Sequence, residues 1–220
     1  MARTCGRRYE RAALRRGWRL VAGVDEVGRG ALIGPVFAAA VILDPRRRIV
    51  GLDDSKKLTA ERREELAERI RERAICIAVA SVEAARIDAW NIYQASRQAM
   101  RAAVLELRPQ PDYLLVDALL LDDLAFEQRK IIKGDAKSVT IAAASILAKV
   151  SRDELMRVWE ERYPGYGLAR NKGYATREHL EGLRRLGPTP EHRRSFAPVR
   201  ECLLAPWPGE QCQFDFQIMA

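Results

Sequence analysis

The sequence predicts a mixed α/β protein, a sheet with helices on its faces that is neither all-parallel nor all-antiparallel. Two observations predict it. The first three apolar, β-branched runs, at 20–25, 36–43 and 74–82, have short connections, which favours an antiparallel beginning. The later runs alternate with helical patterns, which favours crossovers and parallel pairing. With 220 residues, 48% of them hydrophobic, the chain can bury one substantial core.

Each element has its own signal. Leu20–Asp25 and Val36–Leu43 read as strands separated by a glycine-rich turn, and Asp44-Pro45 closes the second. Thr59 caps a helix, "TAERREELAERIRER", in which Leu66, Ala67 and Ile70 recur at helical spacing. "AICIAVASV", 74–82, is a third buried strand. From Ile87 to Leu107 a long helix is predicted, with Ile92, Ala95, Ala99, Ala103 and Leu107 on one face and Pro109 and Pro111 ending it. "DYLLVDALL", 112–120, is a fourth strand, and 130–133 is a short fifth before a turn at Gly134. Ser138 caps a long helix that runs to about Tyr163; its alanine-rich part requires a closely packed neighbour. A loop is predicted over 163–174, a helix over 176–186, and a loose tail over 205–220.

Composition excludes several classes. No apolar run reaches the length of a membrane span, and the basic N-terminus lacks the apolar stretch of a secretory signal. Cys5, Cys76, Cys202 and Cys212 show no CxxC spacing and lie apart from His179 and His192, so a zinc site is not expected. They read as unpaired thiols of a reducing compartment, and a cytoplasmic location is expected. A net charge of +8, from 38 Lys and Arg, biases the surface toward a polyanion, nucleic acid being the commonest. The same arginines also read as solvated helix surface.

The chemistry-bearing residues are acids. Asp25 and Glu26, Asp117 and Asp135 each follow an apolar run. If those strands are neighbours, the carboxylates meet at one edge of the sheet, where their repulsion raises one another's pKa values and divalent cations relieve it. Mg²⁺ is held by one or two carboxylates with waters and substrate phosphate, and an ion pair can drive phosphodiester hydrolysis. Any one of these acids alone reads equally well as a turn former or helix cap. Adjacent Asp25 and Glu26 point to opposite faces of a strand, so both reach one site only if the strand ends or bends there, as Gly28 would permit. Gly28-Arg29-Gly30 falls short of a dinucleotide-binding loop, being followed by a strand rather than a helix.

Several stretches carry a resemblance: "GVDEVGRG" with "GPV", "DDSKKL", "IDAWNIYQASRQAM", "LLVDA", "KGDAKSVTIAAASILAKVSRD", "NKGYATREH" and "LGPTPEHRRSF". In order and spacing they resemble ribonuclease HII over roughly 9–200. Ala31 and Ile33 depart from the usual "GRGPLAGPV" text without loss of a ligand. The resemblance implies an RNase H-like fold: a mixed five-stranded sheet flanked by helices, with a helical C-terminal extension. It implies a catalytic domain over 1–162, with 1–17 as lead-in, and a substrate-binding extension over 163–204. It further implies an endonuclease, expected to be monomeric, that cuts the RNA strand of RNA–DNA hybrids and incises 5′ of ribonucleotides embedded in duplex DNA, using Mg²⁺ or Mn²⁺.

By the same resemblance, Asp25, Glu26, Asp117 and Asp135 are the catalytic metal ligands. Gly28, Arg29 and Gly30 contact the ribonucleotide, Tyr174 packs on the next deoxyribose, and Lys56 and Lys57 bind the backbone. Read without it, the glycines are a tight turn, Tyr174 a half-buried core ring and the lysines a solvated pair. Two rival classes keep the acids: another nuclease of similar fold, such as a junction resolvase or DNA exonuclease, and a non-catalytic hybrid-binding protein.

Overall fold

A computed structural model describes residues 5–204. The sheet has five strands: β1 (Val21–Val27), β2 (Val36–Leu43), β3 (Ala74–Val82), β4 (Tyr113–Asp117) and β5 (Glu127–Ile131), in the order β3-β2-β1-β4-β5. β1 pairs antiparallel with β2, and β2 with β3; β1 pairs parallel with β4, and β4 with β5. The mixed sheet expected from the connection lengths is therefore present. Because β1 and β4 are parallel neighbours, their C-terminal ends lie at the same edge.

Helices cover both faces. Eight are described: α1 (Arg8–Arg15), α2 (Ala60–Arg73), α3 (Ala84–Trp90), α4 (Ile92–Glu106), α5 (Val139–Arg162), α6 (Leu168–Asn171), α7 (Arg177–Leu186) and α8 (Ala197–Leu204). On one face Ala95, Ala99 and Ala103 of α4 pack on Val24, Ala38, Leu114 and Val116. On the other, Leu66 and Ile70 of α2 and Ala142, Ala143 and Ile146 of α5 pack on Ala39 and Val41. The alanine-rich part of α5 finds its partner in β1. A Cβ at Gly23 would lie 2.2 Å from the Thr140 carbonyl carbon, so only glycine lets helix and strand approach this closely.

Four differences from the sequence expectation have physical causes. The helix expected over 87–107 is two helices, because Asn91 has φ 74° and its side chain accepts from the amides of Tyr93 and Gln94, capping α4 afresh. The fourth strand stops at Asp117 because Ala118 takes a positive φ of 56°. The fifth strand is 127–131 rather than 130–133: it lies at the sheet edge, buries only Ile131 fully and lacks an apolar signature. The short helix α6 falls inside the expected 163–174 loop. The expected tail, 205–220, lies outside the described residues, as does Cys212. Cys5, Cys76 and Cys202 are free thiols, and no helix among the described residues is long and apolar enough to cross a membrane.

Candidate active site

Strand register decides where the acids sit. Val24 pairs with Val116 across the parallel β1–β4 ladder, which sets Asp25 beside Asp117 one step further on. Neighbouring strands lie about 4.8 Å apart. Both acids follow the alternation of Gly23 and Leu115 and face α5. Glu26 pairs with Ala38, whose side chain packs on the α4 face, so Glu26 leaves the sheet on the opposite side. β1 continues through Val27 and turns at Gly28, so the bend comes after Glu26 and not before it. Asp135 follows Gly134, whose amide donates to Asp117 Oδ1 at 2.7 Å.

These carboxyls are crowded and dehydrated. Burial, then Glu26 and Asp117, hold the Asp25 carboxyl well above its ordinary range, against the Ser145 hydroxyl, which lowers it. Burial also raises Glu26, opposed by Arg29, whose Nη1 lies 3.3 Å from Glu26 Oε1. Asp117 and Asp135 are raised first by burial, and a further acid, Asp54, adds to both. Among the described residues, no three His, Cys, Asp or Glu side chains form a ready-made cation site. Mg²⁺ does not need such a cage, since it keeps several waters and takes substrate phosphate as ligand. The donors fit a hard divalent ion: all are carboxylate oxygens, and Glu26 Oε2 is buried with no hydrogen-bond partner.

Lysines flank the acids. Lys56 is exposed, and its charge opposes the upward shifts of Asp117 and Asp135. The ammonium of Lys57 pairs with Asp53 at 3.2 Å, so Lys56 is the freer of the two. Asp54 caps the short turn of helix over 55–57 by accepting from the Lys56 amide at 2.9 Å. Sequence reasoning did not single out Asp54; its position inside "DDSKKL", one residue before the serine and lysines, was the available signal.

The Gly28–Gly30 turn and Tyr174 come together. Gly28 is buried with φ 92°, and a Cβ there would lie 2.3 Å from Arg152 Nε. Arg29 and Gly30 are exposed, and the Gly30 Cβ position lies 3.9 Å from the Tyr174 ring. Ala31 forms a β-bridge with Tyr174. Two fully buried arginines brace this turn from within. Arg152 donates to the carbonyls of Lys172, at 2.6 Å, and Ile33, and its guanidinium stands 5.4 Å from the Tyr174 ring centre. Arg193 donates to the carbonyls of Gly34 at 2.8 Å and Arg29 at 3.0 Å. Burial, with Arg152 as a like-charged neighbour, lowers Arg193 to about 9.

By sequence, Arg170, Lys172, His192, Arg193 and Arg194 read as an extension of the basic surface, with Arg193 and Arg194 reading equally as local helix or turn charges. The structure takes His192 and Arg193 out of that surface, since both are buried inside the C-terminal segment, and Arg170 pairs with Glu178. His192 is held far below its ordinary 6.5, at about 3, first by burial and then by His179. A histidine depressed in the folded state stabilises the fold above its unfolded pKa and loses that contribution as pH falls. Urea unfolding midpoints are therefore expected to drop from pH 6.5 to 5, with a shallower drop in His192→Gln. Equal slopes in the two proteins would refute this.

Comparison with known proteins supplies the family. The ribonuclease HII family model matches residues 22–199. Ribonuclease HII from Solibacter usitatus is 61% identical over 196 residues, covering 89% of this chain and 86% of that protein. The crystal structure of ribonuclease H2 from Pyrococcus horikoshii OT3 superposes with a TM-score of 0.72 at 28% identity, covering 84% of this chain and 97% of that one. Bst-RNase HIII, solved in complex with Mn²⁺, shares the fold with a TM-score of 0.66 at 22% identity, covering 84% of this chain and 69% of that one. With the acids at one sheet edge and the braced glycine turn beside Tyr174, the chain belongs to the ribonuclease HII family of hydrolytic endonucleases that act on phosphodiester bonds.

Proposed function

We propose that this protein cuts the RNA strand of RNA–DNA hybrids and incises duplex DNA 5′ of an embedded ribonucleotide, leaving 3′-hydroxyl and 5′-phosphate ends. One observation carries the reading: Asp25 and Asp117 stand on adjacent parallel strand ends, next to a glycine turn whose Arg29 and Gly30 are exposed, and a half-buried tyrosine. A strand end with acids alone suits many nucleases. The glycine turn and tyrosine suit one that must detect a 2′-hydroxyl, the group that separates the two sugars.

Each residue then has a task. Asp25, Glu26, Asp117 and Asp135 hold divalent ions, Mg²⁺ or Mn²⁺. Such ions, when bound, stabilise charge on the phosphoryl oxygens and lower the pKa of a bound water. Gly28, Arg29 and Gly30 meet the ribonucleotide, and the exposed Gly30, with no side chain, lets the backbone approach the sugar. Tyr174 packs against the following deoxyribose. Lys56 binds backbone phosphate as a mobile point charge; Lys57 does so once released from Asp53. Residues 163–204 act as the substrate-binding extension, supplying Tyr174 and the buried Arg193. Water adds to phosphorus, the bond from phosphorus to the 3′-oxygen breaks, and that oxygen leaves as the hydroxyl.

The test is a DNA duplex with one ribonucleotide, incubated with Mg²⁺, Mn²⁺ or chelator, the cut mapped at nucleotide resolution. Cleavage on the 5′ side of the ribonucleotide is expected with either ion and none with chelator. Cutting of an all-DNA duplex at comparable rate would instead favour a resolvase- or exonuclease-type activity. Binding without cleavage would point to a hybrid-binding protein.

A further inference from the structure

Both histidines of the chain are buried, and their ring nitrogens are committed to one another and to the backbone. The Thr189 amide donates to His192 Nδ1 at 3.0 Å, and the Thr189 hydroxyl lies 2.9 Å from the same nitrogen. His192 Nε2 lies 3.1 Å from His179 Nε2. His179 Nδ1 lies 3.0 Å from the carbonyl oxygen of Tyr174. These contacts fix the protons. An amide can only donate, so His192 Nδ1 is an acceptor and its proton sits on Nε2. A carbonyl can only accept, so His179 carries its proton on Nδ1 and accepts at Nε2. The result is a single directed chain, Thr189 to His192 to His179 to Tyr174, in which both rings are neutral.

The chain closes a frame around the loop that follows the glycine turn. On one side the Leu32 amide donates to the Gly173 carbonyl, and Ala31 bridges Tyr174. On the other the Gly34 amide donates to the Glu191 carbonyl, the Arg193 amide to the Leu32 carbonyl, and Ile33 bridges His192. Residues 31–34 are thus held between the 173–174 and 191–193 segments, and the histidine pair ties those two segments together. Tyr166 covers the pair, its ring centre 5.2 Å from His192 and 6.0 Å from His179. Two apolar side chains could fill this volume, but neither could orient the Tyr174 backbone. In this arrangement each of the four ring nitrogens faces a partner of the complementary kind.

We propose that His179 and His192 are positioning residues that hold Tyr174 against the Gly28–Gly30 turn, and so set how strongly the enzyme prefers a ribonucleotide-to-deoxyribonucleotide step over a continuous RNA strand. The proposal rests on the reading that Tyr174 packs on the deoxyribose following the ribonucleotide. Neither histidine meets substrate; their effect is on the place of the ring, and so on substrate discrimination.

The experiment compares kcat/KM on two substrates, a duplex with a single ribonucleotide and a uniform RNA–DNA hybrid, for the unsubstituted enzyme, Tyr174→Ala, His192→Gln and the double variant, with Tm measured for each. His192→Gln is expected to lower the ratio of the two kcat/KM values about tenfold, the size of effect of one lost buried hydrogen bond. The double variant is expected to match Tyr174→Ala alone, because the histidine then has no ring left to place. Equal losses on both substrates in His192→Gln, accompanied by a lower Tm, would overturn the proposal as merely structural. An unchanged ratio in Tyr174→Ala would instead remove the Tyr174 reading, and this proposal with it. If His192→Gln does not fold, His179→Gln carries the test, since glutamine reaches the place of Nε2 but not of Nδ1 and so loses the contact to the Tyr174 carbonyl: a lowered ratio supports the chain, and an unchanged ratio overturns it.

Discussion

Asp25→Asn is expected to reduce cleavage at saturating Mg²⁺ or Mn²⁺ by about 10³-fold or more while leaving the fold intact or more stable. The two effects come from the same feature. Asp25 is 5% exposed, and Glu26, Asp117 and Asp135 all act to raise its pKa. At neutral pH without divalent ion, that crowding is an electrostatic cost the unfolded chain does not carry. Asparagine keeps the shape and removes one charge, so Tm in chelator should hold or rise. The same charge is what a divalent ion needs. Metal-ion catalysis contributes several kcal/mol of transition-state stabilisation, and each 1.36 kcal/mol is tenfold in rate, hence about 10³-fold or more. Asp117→Asn, on the adjacent strand end, should behave in the same way. A variant that unfolds, or that cleaves at the unsubstituted rate with ion saturating, would contradict the assignment.

Gly28→Ala should be far more damaging than Gly30→Ala, although the two glycines flank the same arginine. At Gly28 the backbone has φ 92°, which side chains rarely adopt, and the added methyl would lie 2.3 Å from Arg152 Nε and 2.7 Å from its Cδ. Arg152 cannot yield freely, because it is fully buried and its Nη1 holds the Lys172 carbonyl at 2.6 Å. Displacing it moves the segment that carries Tyr174. A displacement of about 1 Å in a positioning group can cost about 10²-fold in rate, and a loss of that size in kcat/KM on a single-ribonucleotide duplex is expected. A lower Tm should accompany it. At Gly30 the nearest atom to an added methyl is a Tyr174 ring carbon at 3.9 Å, ordinary contact. Gly30→Ala should therefore leave Tm unchanged, and any loss of activity would report contact with the sugar itself. Equal Tm values for the two variants would refute the role given to Arg152.

Much of the fold was legible because its elements obey local rules. Thr59, Ser138 and Thr176 cap the helices expected after them, and the runs at 36–43 and 74–82 match β2 and β3. What was missed depends on backbone conformations and distant contacts. In "IDAWNIYQ" the one signal of the interruption is Asn91, a residue type that tolerates positive φ and caps helices, and the apolar spacing runs straight across it. The edge strand β5 reads as "EQRKI" and hides its single buried side chain, Ile131, among polar ones.

The site divides in the same way. Four acids after apolar runs pointed to one sheet edge, and the resemblance to ribonuclease HII added the turn, the tyrosine and the lysines. Strand alternation made Asp25 and Glu26 a geometric difficulty, and the structure keeps it: they leave on opposite faces. The inward turn of His192 and Arg193 was not legible. "EHRRSF" reads as a charged surface, and burial becomes visible only when Arg193 is seen donating to the carbonyls of Arg29 and Gly34, more than 150 residues away in the chain.

The most direct measurement is the anomalous scattering of Mn²⁺ in crystals of the protein with a duplex carrying one ribonucleotide. The account predicts manganese peaks at the edge where β1 and β4 end, bound by oxygens of Asp25 and Asp117, with Glu26 and Asp135 completing the set and the phosphate 5′ of the ribonucleotide among the ligands. Peaks elsewhere, or a ribonucleotide lying away from the Gly28–Gly30 turn and Tyr174, would contradict it.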